Sequence, residues 1–239
     1  MNASELSSIL FLDIETVPQY PEFNRCPEPL KKLWERKASN LRKEDDETPE
    51  DIYNRAGIYA EFGKIVCIST GVLRFGGGGV MKLFIKSYYS DDEREVLEPF
   101  SKMLTENFNR TEHRLCAHNG KEFDFPYMAR RMLITGVQLP DILNSQGKKP
   151  WEIAHIDTME LWKFGDFKSY TPLNLLTYAF GIPTPKDDID GSMVWSVYWK
   201  EQDLERIVNY CQKDVVALTN VFLKLKGLDT VEADNVEIM

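Results

Sequence analysis

Apolar residues run almost unbroken through SSILFLDIET (residues 7–16) to an acidic end, which predicts a central strand with carboxylates at its carboxyl terminus. From Val17 to about Phe62 the pattern breaks into proline-dotted, strongly charged sequence, with helical spacing near 28–38 (EPLKKLWERKA) and 49–60 (PEDIYNRAGIYA). The stretch 18–62 reads as a helical insertion covering the end of the first strand. Residues 64–75 (KIVCISTGVLRF) and 80–89 (VMKLFIKSYY) predict two strands of a β-hairpin, joined by the glycines 76–79. Those glycines do not form a phosphate cradle, because no helix and no Lys-Ser/Thr pair follow them. Asp91 or Asp92 caps a predicted helix over 92–107, whose Val96, Leu97, Phe100, Met103 and Leu104 fall at helical spacing.

Leu115 to His118 predicts a short strand, and Phe123 to Thr135 a helix ended by Gly136. A polar loop at 140–152 precedes a strand or strand-to-helix passage at 153–162. Thr171-Pro172 opens a helix that Gly181 closes, in the favoured cap-then-proline order. After a loop at 182–190 come a short aromatic helix near 191–199 and a long one over roughly 203–226. The closing residues 228–239 are acidic, lack an amphipathic face and are expected to fray. This order predicts an α/β fold with a mixed central sheet flanked by helices.

With 239 residues, 43% of them hydrophobic, the chain can bury the core of a single domain, expected over 1–227. No window approaches the roughly 20 apolar residues of a membrane-spanning helix, and the start shows no signal-peptide pattern, so a cytoplasmic location is expected. Cys26, Cys67, Cys116 and Cys211 form no C-x-x-C pair and are read as buried, reduced thiols. A net charge of −9 argues at first against a nucleic-acid partner. Two divalent cations bound to a cluster of four carboxylates would cancel their charge where a phosphate docks, so net charge leaves the question open.

Three acidic features change the picture. Asp13 and Glu15 stand two apart on a strand and share one face, an arrangement that is costly unless a cation neutralises it. In HNGKEFDFP, Asp124 opens a helix directly after a strand, where it is either a helix cap or part of a site. On the long helix, Tyr210 and Asp214 stand four apart and are neighbours. Each has a bland explanation alone: a solvent-exposed strand end, an N-cap, a surface pair. Together they supply hard oxygen ligands that suit Mg2+ or Mn2+, and two such ions can cleave a phosphodiester in line.

FLDIET, NGKEFDFPYM and YCQKD resemble the three motifs of the DEDD 3′→5′ exonucleases, and the tyrosine four before the last aspartate resembles the DEDDy branch. The form of the second motif is most similar to exonuclease domains of family B DNA polymerases and to free-standing bacterial predicted exonucleases related to them. The resemblance implies a ribonuclease-H-like fold and 3′→5′ exonuclease activity on single-stranded nucleic acid, with DNA favoured over RNA. It implies that Asp13, Glu15, Asp124 and Asp214 hold two Mg2+ or Mn2+ ions, that Tyr210 positions the attacking water, and that Asn119 and Phe123 help place the terminal nucleotide. The histidine branch needs histidine near position 209, which is Asn209. The insertion at 18–62 exceeds what a minimal exonuclease carries there. An exoribonuclease, or a catalytically silent binding module of the same fold, are the alternative readings.

Asp157 resembles a further acidic position of that superfamily but is equally read as a solvent-facing strand-end acid. Lys121, Arg130, Arg131, Lys163, Lys168 and Lys186 are phosphate-contact candidates. Phe123, Phe125, Tyr127, Trp162, Tyr170 and Trp195 are base-stacking candidates, most of them expected in the core.

Overall fold

The computed structural model describes residues 1–42, 44, 46–166, 168, 170–183 and 189–239. In chain order its elements are α1 (Ala3–Ser7), β1 (Ile9–Pro18), α2 (Glu28–Ala38), β2 (Gly63–Phe75), β3 (Met81–Tyr89), α3 (Glu93–Asn107), β4 (Arg114–Ala117), α4 (Asp124–Thr135), β5 (Ile156–Asp157), α5 (Thr158–Lys163), α6 (Leu173–Ala179), α7 (Val194–Ser196), α8 (Leu204–Leu225) and β6 (Val236–Ile238). The strands form one mixed sheet in the order β5-β4-β1-β2-β3-β6, with β1 parallel to β4 and antiparallel to β2. This is the mixed α/β sheet flanked by helices that the element order led us to expect.

The β1 sequence explains its central place. Leu10, Leu12 and Ile14 face a layer built from α3 and α4, where they join Val96, Phe100, Met128 and Met132. Ile9 and Phe11 face the opposite layer and meet Val215, Leu218 and Phe222 of α8, with the Phe11 and Phe222 rings 5.3 Å apart. A strand covered on both faces must be apolar throughout, so Asp13 and Glu15 are exceptions that need an explanation. Gly71 of β2 brings α8 close: a Cβ there would stand 2.8 Å from Val215 Cγ1.

The insertion has its own apolar nucleus around Trp34, packed with Cys26, Tyr53, Ala56 and Phe62. Its first predicted helix is present as α2, but 49–60 holds only a 3-10 turn at Tyr53–Ile58. Two tertiary demands override the helical pattern there. Pro49 turns its carbonyl to Trp34 Nε1 at 2.7 Å, and Gly57 lies so close to Val17 and Pro18 that a Cβ would crowd them at about 3 Å. Helix α4 fastens the end of the insertion, since Tyr127 Oη donates to the Gly57 carbonyl at 2.6 Å and Arg131 Nη1 to that of Ala60 at 2.8 Å. Arg131 also pairs with Glu93, whose Oε1 accepts from the Ile65 N–H at 2.7 Å.

The closing residues do not all fray. Val231 N–H donates to Asn220 Oδ1 at 2.9 Å, and Val236–Ile238 pair in parallel with β3, whose outer edge would otherwise be unpaired. All four cysteines are free and buried. Among the described residues no helix is long and apolar enough to cross a membrane.

Candidate active site

Strand periodicity turns Asp13 and Glu15 toward α8 while Ile14 points into the opposite core. A register shift interrupts the β1–β2 ladder between Glu15 and Thr16, immediately after the second acid. Bulges of this kind bend a strand and re-aim its side chains, and they recur beside active sites.

Asp124 arrives from the other direction. Beyond β4 the chain turns through Asn119, which holds a left-handed φ of 62°, and through Gly120, where a Cβ would collide with that of Ala117 at 2.3 Å. Asp124 is not the helix cap. That position belongs to Phe123, whose side chain makes no capping bond, and the buried Asp124 carboxylate instead faces β1, where the backbone N–H of Ile14 favours its charged form.

The loop is held by Asp157, contrary to its reading as a solvent-facing acid. Its carboxylate is buried and accepts from the N–H groups of Asn119 (3.0 Å), Lys121 (3.1 Å), Met159 (2.9 Å) and Glu160 (3.3 Å). One carboxylate therefore caps α5 and pins the loop that delivers Asp124. His118, another residue that sequence reasoning did not single out, bonds through Nδ1 to Thr158 Oγ1 at 2.8 Å and through Nε2 to the Thr171 carbonyl at 2.9 Å. The Asp157–Thr158–Met159–Glu160 run carries a cap signal, but its partners around position 120 lie far away in sequence.

Helix α8 contributes Tyr210 and Asp214, one turn apart and close enough that the Asp214 charge raises the Tyr210 hydroxyl, and between them Cys211. A carboxylate oxygen of Asp13, one of Glu15 and the Cys211 sulfur all lie within 4.8 Å of one another. Burial, followed by the charges of Asp214 and Asp124, pushes the Asp13 carboxyl well above the usual carboxylate range. Burial and then Asp13 do the same to Glu15, and burial raises Asp124 to about 7. The Tyr210 hydroxyl is raised by burial and by Asp214, Glu15 and Asp13. None of the ion pairs among the described residues involves Asp13, Glu15 or Asp124. Buried acids that repel one another without a basic partner make a donor set that fits hard divalent cations.

The other candidates separate by exposure. Half-buried Asn119 and Phe123 lie on the loop beside Asp124, with the Phe123 ring 5.3 Å from that of Tyr127. Phe125 and Tyr127 are core residues, and Arg131 is spent on its buried pair with Glu93, so none of the three meets a substrate. Trp195 donates its indole N–H to the Pro21 carbonyl at 3.2 Å, and Lys121 pairs with Glu160 at 2.7 Å. Arg130, Lys168 and Tyr170 are exposed, and Lys163 and Trp162 half-buried. Lys186 lies outside the described residues.

A mixed sheet whose central strand ends among clustered acids, Glu15 and Asp124 buried and Asp13 and Asp214 half-buried, defines an α/β protein with a polyacidic site. Residues 58–236 match the family described as predicted 3′-5′ exonucleases related to the exonuclease domain of PolB, and the chain belongs to that family. The match includes Asp124, Tyr210 and Asp214 and begins after Asp13 and Glu15. Among solved structures, the chain is similar to the family B DNA polymerase of the hyperthermophilic archaeon Pyrobaculum calidifontis, with 19% identity, a TM-score of 0.46, and coverage of 90% of this chain and 24% of that one. It is also similar to E. coli Exonuclease I in complex with a dT13 oligonucleotide, with 11% identity, a TM-score of 0.39, and coverage of 85% and 41%. The chain thus spans less than half of each of these proteins.

Proposed function

We propose that this protein is a DEDDy-type 3′→5′ exonuclease that removes nucleotides from single-stranded 3′ ends, with DNA as the favoured substrate. The observation that carries this reading is that carboxylate oxygens of Asp13 and Glu15 lie within 4.8 Å of each other, near enough to Asp124 and Asp214 that, beyond the effect of burial, those two charges raise both carboxyls, as Asp214, Glu15 and Asp13 raise the Tyr210 hydroxyl. Asp13, Glu15, Asp124 and Asp214 would hold two divalent cations, Mg2+ or Mn2+, which when bound supply water activation and stabilisation of the leaving 3′ oxygen.

The chain's own groups account for the rest. The Tyr210 hydroxyl stays protonated beside Asp214, and in this reading it meets the attacking water and orients it. Asn119 and Phe123, held on a loop with no freedom to drift, flank the terminal nucleotide. Single-strand preference is supported by the exposed Phe164 and Tyr170, with Lys163 and Lys168 interleaved, because unpaired bases stack on aromatic rings while cations meet the backbone.

The test is digestion of 5′-labelled single strands of matched DNA and RNA with Mg2+ or Mn2+. The expected result is a ladder shortened from the 3′ end, faster on DNA, and absent for Asp13→Ala and Asp214→Ala. A metal-replete wild type that leaves every strand intact overturns the proposal.

A further inference from the structure

Cys211 lies outside the acidic set, yet its sulfur reaches into it. The thiol is fully buried, with Sγ 3.4 Å from Asp13 Oδ2 and 3.4 Å from the Asp13 carbonyl oxygen. It belongs to a line of small polar groups beneath α8. Cys67, the strand partner of Glu15, is a free thiol beside Cys211, and its Sγ lies 3.7 Å from Ser69 Oγ. Ser69, the strand partner of Asp13, stands 2.9 Å from Ser87 Oγ, which accepts from Gln212 Nε2 at 3.0 Å. Where α8 crosses β1 further along, the contact is purely apolar, through Phe11 and Phe222. The polar line is confined to the stretch that faces the acids.

An aspartate carboxylate on a strand turns easily about its terminal torsion, whose wells are broad. To present one oxygen consistently to a cation, it needs a second anchor, and such anchors beside metal ligands set both orientation and affinity. Asp124 has the Ile14 N–H beside it, which favours its charged form. Asp13 has the thiol.

We propose that Cys211 is a positioning residue for the reaction: its S–H donates to Asp13 Oδ2 and thereby fixes which carboxylate oxygen is turned toward the cations. This rests on the reading above, in which Asp13 holds a divalent ion. A thiol is a weak donor, but here it is dry and its acceptor is a carboxylate, the conditions under which a hydrogen bond counts most.

Three substitutions separate this role from simple packing. Cys211→Val fills the volume without a donor, Cys211→Ala removes both, and Cys211→Ser keeps a donor in a smaller side chain. Mn2+ is titrated into each full-length protein by calorimetry, without substrate, alongside thermal melts. Valine and alanine are expected to weaken Mn2+ binding about 10-fold or more, the scale seen when a metal ligand loses its outer hydrogen-bond partner. Serine is expected to stay close to wild type. In digestion assays the Mn2+ concentration for half-maximal rate should rise with the same ranking, while the rate at saturating Mn2+ changes far less. A valine variant that melts cooperatively and binds Mn2+ as tightly as wild type overturns the proposal, as does a folded serine variant that loses as much affinity as valine. A wild type that binds no Mn2+ overturns the metal reading itself, and this inference with it.

Discussion

The backbone N–H of Ile14, the residue that separates Asp13 from Glu15, faces the Asp124 carboxylate and favours its charged form. The β1–β4 ladder stops at Phe11 and Cys116, so beyond it the strand's edge is open to a side chain from α4. The acid of a helix thus meets the strand that bears two others, and the backbone dipole at Ile14 offsets part of their mutual repulsion.

That repulsion makes the metal-free protein sensitive to pH. Asp124 titrates near 7 in the folded chain against roughly 4 unfolded, and Asp13 and Glu15 are raised in the same direction. Between those values the folded state binds more protons, so the stabilisation is fully present below about pH 4 and is lost as pH rises through the folded values. A metal-free sample should therefore melt lower at about pH 8 than at about pH 6, with these acids together costing a few kcal/mol. Mn2+ should restore the loss at the higher pH, and Asp124→Asn should raise the metal-free melting temperature there while removing activity. Differential scanning calorimetry checks this, and a metal-free melt that is flat or rising across that interval contradicts it.

Tyr210 should matter without acting as a base. Burial and three neighbouring carboxylates lift its hydroxyl above the ordinary tyrosine value of about 10, so it remains protonated throughout the working range. Tyr210→Phe should fold normally and lower kcat about 100-fold, on the scale of a lost orienting or proton-transfer group. The alkaline limb of the pH–rate profile should keep its position in the variant. A limb that vanishes with the hydroxyl would mean that Tyr210 itself titrates during turnover.

Much of this arrangement could be read locally. Alternation in ILFLDIET is enough to place Asp13 and Glu15 on one face, and a four-residue helical step is enough to pair Tyr210 with Asp214. The cap Asp92, the αL residue Gly136 and the hairpin at 76–79 also follow from their neighbours in sequence. What escaped the sequence depends on distant partners. Asp157 acts on residues 36 and 38 positions away, Arg131 meets Glu93 at a separation of 38, and Cys211 touches Asp13 across 198 residues. The helical spacing of 49–60 was real but lost to Trp34 and Gly57, whose contacts no local window contains.

Asp157 offers the sharpest stability test of the loop. Its carboxylate satisfies four N–H groups at two places in the chain, and Asp157→Ala would orphan them. Losing a helix cap and charged bonds at a buried site should cost about 3 kcal/mol and lower Tm by about 10 °C. Nuclease activity should fall as well, through displacement of Asn119 and Asp124, while Asp157→Asn, which keeps one acceptor oxygen, should lose less of both. An alanine variant with wild-type stability would show that the loop holds itself.

The segment from Trp162 to Phe180 tests strand recognition separately from chemistry. Phe164 adopts a left-handed φ of 42° with 85% of its surface exposed, a costly placement for a large apolar side chain. Trp162 stands behind it at 6.4 Å between ring centres, and Phe180 braces Trp162 at 5.5 Å, so the exposed ring is backed by an aromatic stack rather than by mobile loop. Asp157, which also pins Asn119, caps α5, and the helical rise sets Phe164 about 10 Å further along. Removing a stacking ring costs about 1–3 kcal/mol per base. Phe164→Ala should therefore raise KM for a long single strand about 5- to 100-fold with kcat nearly unchanged, and leave cleavage of a dinucleotide unaffected. Equal losses on long and short substrates would place Phe164 in the support of the acids instead of in the path of the strand.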